Sequence, residues 1–184
     1  MAEIIIGDMV YKISCGMHDC DKDMHSFKSN KTLQNKGIEK GCCINCRSSL
    51  IDWDRIFKKD IDDFEYTKRA LKLEMIRNCF WTIKKPTPEM IKKIKDLTPE
   101  QLDTKVYKRL RATLAKPRSE NIFDGRQTSL EDNDFIHWAQ HATGTCCRSC
   151  LEEWYNIDAN AEMIDSDYDY LGSIIKRYLT EKTT

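Results

Sequence analysis

Cysteines at metal-ligand spacing are the residues of this chain that point most directly to chemistry. Nine cysteines occur in 184 residues. Cys43 and Cys46 form one Cys-x-x-Cys pair, and Cys147 and Cys150 form another in "QHATGTCCRSC". A short turn between two cysteines lets both thiolates reach one ion, and zinc prefers four soft or borderline ligands arranged as a tetrahedron. The pairs therefore predict zinc binding.

The first assignment of ligands places a single zinc between the two pairs. Cys43 and Cys46 would form a turn-like knuckle, and Cys147 and Cys150 would lie at the start of a helix. A helix start favours thiolates because the helix dipole is positive there. This arrangement is typical of a treble-clef-like site, interrupted here by roughly a hundred residues.

The second assignment gives the chain two zinc sites. An N-terminal site would combine the Cys43 and Cys46 pair with two upstream cysteines, at a zinc-ribbon-like spacing. A C-terminal site would combine His141 with the cysteines that follow it. The ligands are Cys15, Cys20, Cys43 and Cys46 in the first site, and His141, Cys146 or Cys147, and Cys150 in the second. A competing interpretation makes Cys147 and Cys150 reactive thiols rather than ligands.

The elements that must position these residues differ between the two ends of the chain. Residues 1–50 hold five cysteines, short β-like pieces such as "EIIIG" and a polar loop, and predict a zinc-ribbon-like β module. Residues 51–184 predict a helical domain. Thr87-Pro88 and Thr98-Pro99 each predict a helix start, because threonine caps and proline fits the first helical position. The predicted fold class is α+β, mostly helical.

Charge is balanced overall but uneven along the chain. Thirty basic residues offset thirty acidic ones. Residues 84–118 hold eleven basic and four acidic side chains, and the predicted helix from Pro99 to Arg118 carries several of them. A basic helix can contact a phosphate backbone. The predicted nucleic-acid contacts are Lys105, Lys108, Arg109 and Arg111.

The N-terminal residues lack the basic start and the long apolar run of a signal peptide, and no stretch approaches the ~20 apolar residues that span a bilayer. We expect a cytoplasmic protein with no membrane partner. Disulfides are rare in that compartment, which again favours metal as the role of the cysteines.

The stretch "FDGRQTSLEDNDFIHWAQHATGTCCRSCLEEWYNI" resembles an uncharacterised family of small bacterial and phage proteins. The likeness extends over about residues 42–180. Matching positions are Asp124 to Thr128, Ala139 to Thr143, Thr145 to Arg148, Cys150, Leu151, Trp154 and Ile157. Short members of the family keep the Cys-Cys-x-x-Cys motif without the upstream pair, which implies a self-contained group around His141. The chain departs from the family pattern at Tyr155, where members have histidine, and at Ser129, where they have proline.

The "DGRQT" motif is the second candidate for chemistry. Arg126 can hold a phosphate or carboxylate through two parallel hydrogen bonds, with Asp124 and Gln127 orienting it. A structural turn explains the same residues. Together with His141 and the acidic stretch "DWDRIFKKDIDD", the motif can also furnish a metal-dependent catalytic site.

These patterns predict a zinc-binding protein, of bacterial or phage origin by the resemblance, that binds or helps process nucleic acid. Two alternatives stay open. One is a metal-dependent enzyme such as a nuclease, with Asp124, Arg126, Gln127 and His141 as candidate catalytic residues. The other is a phage protein-interaction module, in which the acidic tail binds a basic partner protein.

Overall fold

Helices form most of the architecture. The computed structural model describes residues 2–6, 9–29, 31–125 and 134–184. The α-helices in these ranges are α1 Lys31–Asn35, α2 Trp53–Phe57, α3 Phe64–Lys72, α4 Met75–Asn78, α5 Pro88–Lys95, α6 Pro99–Leu114, α7 Phe135–Ala142, α8 Arg148–Tyr155 and α9 Asp165–Thr183. A π-helical turn, Cys79–Ile83, continues α4.

The β-structure is a two-stranded hairpin ahead of the first cysteine. Strands β1 (Ala2–Ile6) and β2 (Met9–Ile13) pair antiparallel, with Ala2 opposite Ile13. The predicted α+β fold class, with a zinc-ribbon-like β module, is wrong, because no described strand carries or flanks a metal-ligand pair. The sequence gives a reason: only three β-branched residues lie between Cys15 and Cys46, and strand formation depends on such residues.

The two Thr-Pro helix starts are confirmed. Thr87 caps α5 by accepting a hydrogen bond from the Met90 amide, and Thr98 caps α6 through a capping box with Gln101. Helix α6 ends at Leu114, earlier than the predicted Arg118.

The helical spacing of Tyr66, Ala70, Leu73 and Ile76 predicts one helix over residues 61–80, and the structure interrupts it. The backbone at His25 pairs with Glu74, which links α3 and α4, in a parallel β-bridge. The His25 amide donates to the Leu73 carbonyl at 2.7 Å, and the Met75 amide donates to the His25 carbonyl at 3.2 Å. These bonds occupy the Leu73 carbonyl and the Met75 amide, so the N-terminal segment becomes part of the helical body.

The core lies where α9 packs against α5, α6 and α7. Trp81 and Tyr178 meet edge to face with ring centroids 4.7 Å apart, and the Tyr178 hydroxyl donates to the Phe80 carbonyl. Cys79 is buried in this core. Burial raises the pKa of its thiol to about 11.

Contacts cross the predicted domain boundary at residue 50. The Phe27 ring packs edge to face on both Trp53 and Trp154, and the Ser29 amide donates to the Glu153 carboxylate at 2.9 Å. The division into 1–50 and 51–184 stays a prediction, and these contacts fix the first segment on α8.

Candidate metal centres

Three cysteines and a histidine form the first metal-ligand group. The ligand atoms of Cys20, His25, Cys43 and Cys46 all lie within 4.8 Å of one another. Cys20 Sγ is 3.7 Å from Cys43 Sγ, and Cys46 Sγ is 3.6 Å from His25 Nδ1. Bond lengths of a tetrahedral zinc site imply about 3.8 Å between two sulfurs and about 3.6 Å between sulfur and nitrogen. The group has the spacing of a tetrahedral site.

Tight local turns present these four ligands. Cys20 begins a single 3₁₀ turn, and Cys43 to Cys46 form a reversal closed by the Arg47 amide, which donates to the Cys43 carbonyl. Arg47 has a φ of 64°. The Ile44 amide donates to the Ser26 carbonyl at 2.9 Å, which ties the reversal to the strand-like segment after His25. Ligands from distant parts of the sequence are thus held by backbone hydrogen bonds.

An aspartate supports the histidine from its other side. Asp23 Oδ1 lies 3.0 Å from His25 Nε2, while Nδ1 faces Cys46. Burial works against a charge on His25, but Asp23 and the neighbouring thiols outweigh it and raise its pKa. Metal-binding histidines commonly make this second hydrogen bond to a carboxylate, which fixes the tautomer and the ring orientation.

Burial raises the pKa of the Cys20 thiol, whereas hydrogen bonds lower the pKa of Cys46 and, against the effect of burial, that of Cys43. Hydrogen bonds from Ser48 lower the pKa of Cys46 to about 6, although Cys46 is exposed. The Asn45 side-chain amide lies 3.4 Å from Cys20 Sγ. Thiolate is the form that binds metal, so the environment of Cys43 and Cys46 suits the ligand role.

The second group is made of thiols alone. Cys146, Cys147 and Cys150 lie within 4.8 Å of one another and are all buried. Cys146 Sγ is 3.6 Å from Cys150 Sγ. Cys147 is the N-cap of α8, and its sulfur accepts from the Cys150 amide at 3.4 Å. The start of α8 therefore carries two of the three buried sulfurs, those of Cys147 and Cys150.

A buried arginine faces these sulfurs. Arg77 Nη2 lies 3.0 Å from Cys150 Sγ, and Nη1 lies 3.6 Å from Cys146 Sγ. On its other edge Arg77 Nε donates to Glu74 at 3.0 Å, and Trp154 Nε1 also donates to that carboxylate. Hydrogen bonds from Cys146 and Cys147, together with the Arg77 charge, hold the pKa of Cys150 well below its usual range. Cys150 is thus the thiol of this group whose surroundings favour the thiolate form.

Residues 65–180 match a family model described as "Domain of unknown function (DUF4186)". The match covers more than half of the chain. The chain belongs to this family. No solved structure matches the chain. None of the helices in the described ranges is both long enough and apolar enough to cross a membrane.

The DUF4186 match divides the two groups. The second group and Arg77 lie within the matched residues, whereas all four ligands of the first group precede them. The structure does not bring the Cys43 pair and the Cys147 pair together, so the single treble-clef-like zinc shared between them has no geometric basis. Cysteines of the two pairs lie in separate groups.

The described residues contain two ligand groups, as the two-site assignment predicts, but the members of the groups differ from those predicted. Cys20, Cys43 and Cys46 come together as expected, and His25 stands where Cys15 was expected. Cys15 is half-buried and lies outside both groups, and its thiol interacts with Cys150. The spacing of four residues between Cys20 and His25 could have indicated that His25 is a metal ligand. No local feature of the sequence signalled Arg77 as the neighbour of the second group.

His141 is not part of the second group. Its ring stacks on Phe80 with centroids 5.1 Å apart, and its carbonyl accepts from Arg77 at 2.9 Å. The corner between α7 and α8 is held by hydrogen bonds from Thr143 to Ala139 and from Tyr155 to the Thr143 carbonyl. Gly144 adopts a φ of 69° there, and a side chain would press on Trp154.

Asp124, the first residue of the DGRQT motif, has a hydrogen-bond partner within the DUF4186 match. Asp124 Oδ1 accepts from the Arg148 amide at 2.9 Å, in the first turn of α8. Arg126 and Gln127 lie outside the described residues. The Arg148 guanidinium is fully buried and donates to carbonyls of the chain. These are the carbonyls of Leu114, Asp158, Ala159 and Ala161. Asp124 and Arg148 thus have structural partners.

The acidic candidates for catalysis are engaged elsewhere. Asp52 caps α2 by accepting from the Arg55 amide at 3.1 Å. Asp63 pairs with the Arg55 guanidinium, which lowers the pKa of that carboxyl. Glu74 pairs with Arg77. Asp52 thus acts as a helix cap, and Asp63 and Glu74 each pair with an arginine.

The four basic residues predicted to contact nucleic acid differ in the contacts that they make within the chain. Lys105 and Lys108 are exposed on α6. Arg109 Nε donates to the buried side chain of Gln140 at 3.1 Å. Arg111 pairs with Asp165 at 2.8 Å and lies over the Tyr168 ring. Both arginines are therefore used in packing α6 against neighbouring elements.

Proposed function

We propose that this chain is a zinc-binding protein in which both cysteine-rich groups hold structural zinc ions. The observation that carries the proposal is the first group, in which the Cys20–Cys43 and Cys46–His25 separations match a tetrahedral site of three sulfurs and one nitrogen. Calcium and magnesium prefer oxygen ligands, whereas zinc accepts thiolate and imidazole together. Zinc is thus the metal that fits.

The role of the first zinc follows from its closed ligand set. Four protein ligands leave no position for water or substrate, which is the mark of a structural site rather than a catalytic one. The site gathers residues from Cys20 to Cys46, a segment with few regular elements of its own. The zinc would hold this segment so that Phe27 stays packed between Trp53 and Trp154.

Metal analysis of the purified chain tests the proposal. We expect two zinc ions per chain, and His25→Ala or Cys46→Ser should remove one of them. Cys42→Ser is the matched control, because Cys42 is a half-buried thiol in the same segment that belongs to neither group. Chelation should lower the melting temperature, because metal binding contributes directly to folding. Wild-type protein that purifies without zinc, and takes up none on refolding with it, would overturn the proposal.

Nucleic-acid binding is a second candidate function, supported by exposed lysines on neighbouring helices. Lys93 of α5 and Lys105 of α6 line one cleft, and Lys108 is exposed one turn further along α6. Phosphate contacts by such lysines release counterions, so binding must weaken as salt rises.

A charge-reversal pair tests the second candidate. Lys105→Glu with Lys108→Glu should weaken binding to DNA or RNA and reduce the salt dependence by about one unit of slope per lost phosphate contact. The melting temperature should not change. Lys36→Glu with Lys40→Glu, at exposed positions outside this surface, is the control. Failure of the wild-type chain to bind any nucleic acid at low salt would reject this candidate and leave the zinc proposal intact.

A further inference from the structure

The second group is one ligand short of a structural zinc site. Cys146, Cys147 and Cys150 supply three thiolates, whereas structural zinc sites are almost always four-coordinate. All three side chains are buried, with exposed fractions of 9% or less. A buried site leaves little room for water as the fourth ligand, so a further side chain is needed.

Cys15 is the side chain in reach. Its thiol interacts with Cys150, Cys146 and Arg77, but its sulfur is not within 4.8 Å of all three group sulfurs, so the Cys15 side chain must move toward them to close the site. The Cys15 carbonyl accepts from Ser26 Oγ at 3.0 Å. Because Ser26 follows His25, this bond anchors Cys15 to the segment that is bridged to Leu73 and Met75.

We propose that Cys15 completes a four-thiolate zinc centre with Cys146, Cys147 and Cys150, facing the buried guanidinium of Arg77. This inference rests on the proposed zinc function and adds the ligand that closes its second site. The two centres are then interleaved. Cys15 binds one zinc, Cys20 binds the other, and the few residues between them connect the centres.

The charges around the group suit four thiolates. Zinc with four thiolates carries two net negative charges, and burying such a charge is costly unless it is paired and hydrogen-bonded. Arg77 is fully buried and directs two nitrogens at the sulfurs of Cys146 and Cys150. N–H groups that donate to metal-binding sulfurs orient those ligands and tune the metal site. Because Glu74 pairs with the other edge of Arg77, the guanidinium offsets only part of the charge of the site.

The proposed centre also joins two parts of the chain. Three ligands lie in the DUF4186 match, at the start of α8, and the fourth lies fifty residues before the match begins. The second zinc would therefore fasten the N-terminal segment to the family domain. The Ser29 to Glu153 hydrogen bond fastens the same segment further along α8.

Cadmium substitution with NMR detection tests the inference, because the cadmium resonance moves to higher frequency as thiolates replace other ligands. We expect two resonances from the wild-type chain, one for four sulfurs and one for three sulfurs and a nitrogen. Cys15→Ser should abolish or shift only the four-sulfur resonance, and should lower zinc affinity at that centre by at least about 100-fold, beyond the usual cost of losing a second-shell partner. Cys42→Ser should leave both resonances in place.

Two further measurements keep every outcome decisive. If Cys15→Ser does not fold, Cys15→His keeps a ligand, and the four-sulfur resonance should move into the range of three sulfurs and a nitrogen. A folded Cys15 variant with both resonances unchanged, or a wild-type spectrum with no four-sulfur resonance, overturns the inference while zinc binding stands. Wild-type protein that binds no metal overturns the proposed function itself.

Discussion

Arg77 Nη2 lies 3.0 Å from Cys150 Sγ, and the exposed fractions of the two residues are 0% and 3%. The same guanidinium pairs with Glu74, which is 1% exposed. A buried cation thus lies between a carboxylate and a group of thiols. Removing the cation leaves both anions without their main partner.

Arg77→Gln should destabilise the fold by about 3–5 kcal/mol, the usual cost of leaving a buried charge uncompensated. Urea unfolding measures this change. Arg69→Gln, at an exposed arginine of α3, is the control and should have little effect. Adding Glu74→Gln to Arg77→Gln should recover part of the stability but not the zinc affinity of the second centre. An unchanged urea midpoint for Arg77→Gln would contradict this account.

Asp23→Asn should weaken zinc at the first centre by about 10–100-fold, the range found when a carboxylate behind a metal-binding histidine is lost. Asparagine is the suitable replacement because Asp23 has a φ of 57° and asparagine tolerates that conformation. Competition with a chromophoric chelator measures the affinity. Asp21→Asn, at an exposed aspartate of the same turn, should leave it unchanged. Equal affinity in the two variants would show that Asp23 does not support His25.

Asp124→Ala should cost about 1 kcal/mol of stability, since its carboxylate satisfies an amide at the start of α8 as a capping residue does. Thermal or urea unfolding checks the value, and Glu120→Ala at a nearby exposed position is the control. A catalytic role predicts a different result, namely unchanged stability. Stability equal to that of the control would argue against the capping role.

Features set by neighbouring residues could be predicted from the sequence. The starts of α5 and α6 follow from Thr-Pro pairs, because capping acts within one helical turn. The pairing of Cys43 with Cys46 is likewise local. Helix α8 begins at Arg148, directly after its N-cap Cys147, where the Cys-x-x-Cys pair indicated a helix start.

Features set by distant contacts could not be predicted. His25 replaces Cys15 in the first group because a bridge to Leu73 and Met75 fixes its backbone, and no spacing rule contains that bridge. The same bridge ends α3 inside a stretch whose apolar periodicity predicts one continuous helix. The β-like pieces pair with each other rather than around the cysteines, so the expected ribbon does not form.

The rate at which Cys46 is alkylated distinguishes a metal-bound thiolate from a free one, because burial does not protect this residue. Cys46 is exposed, so a free thiolate there should react rapidly with an alkylating agent. Bound to zinc, it should react slowly until a chelator is added and rapidly afterwards. Cys79 is buried in the core and belongs to neither group, so slow reaction of Cys79 after chelation would show that the core is still folded. Peptide mass mapping identifies each site. Rapid alkylation of Cys46 in the untreated protein, with no zinc released, would make the first group a thiol site and refute its role as a metal centre.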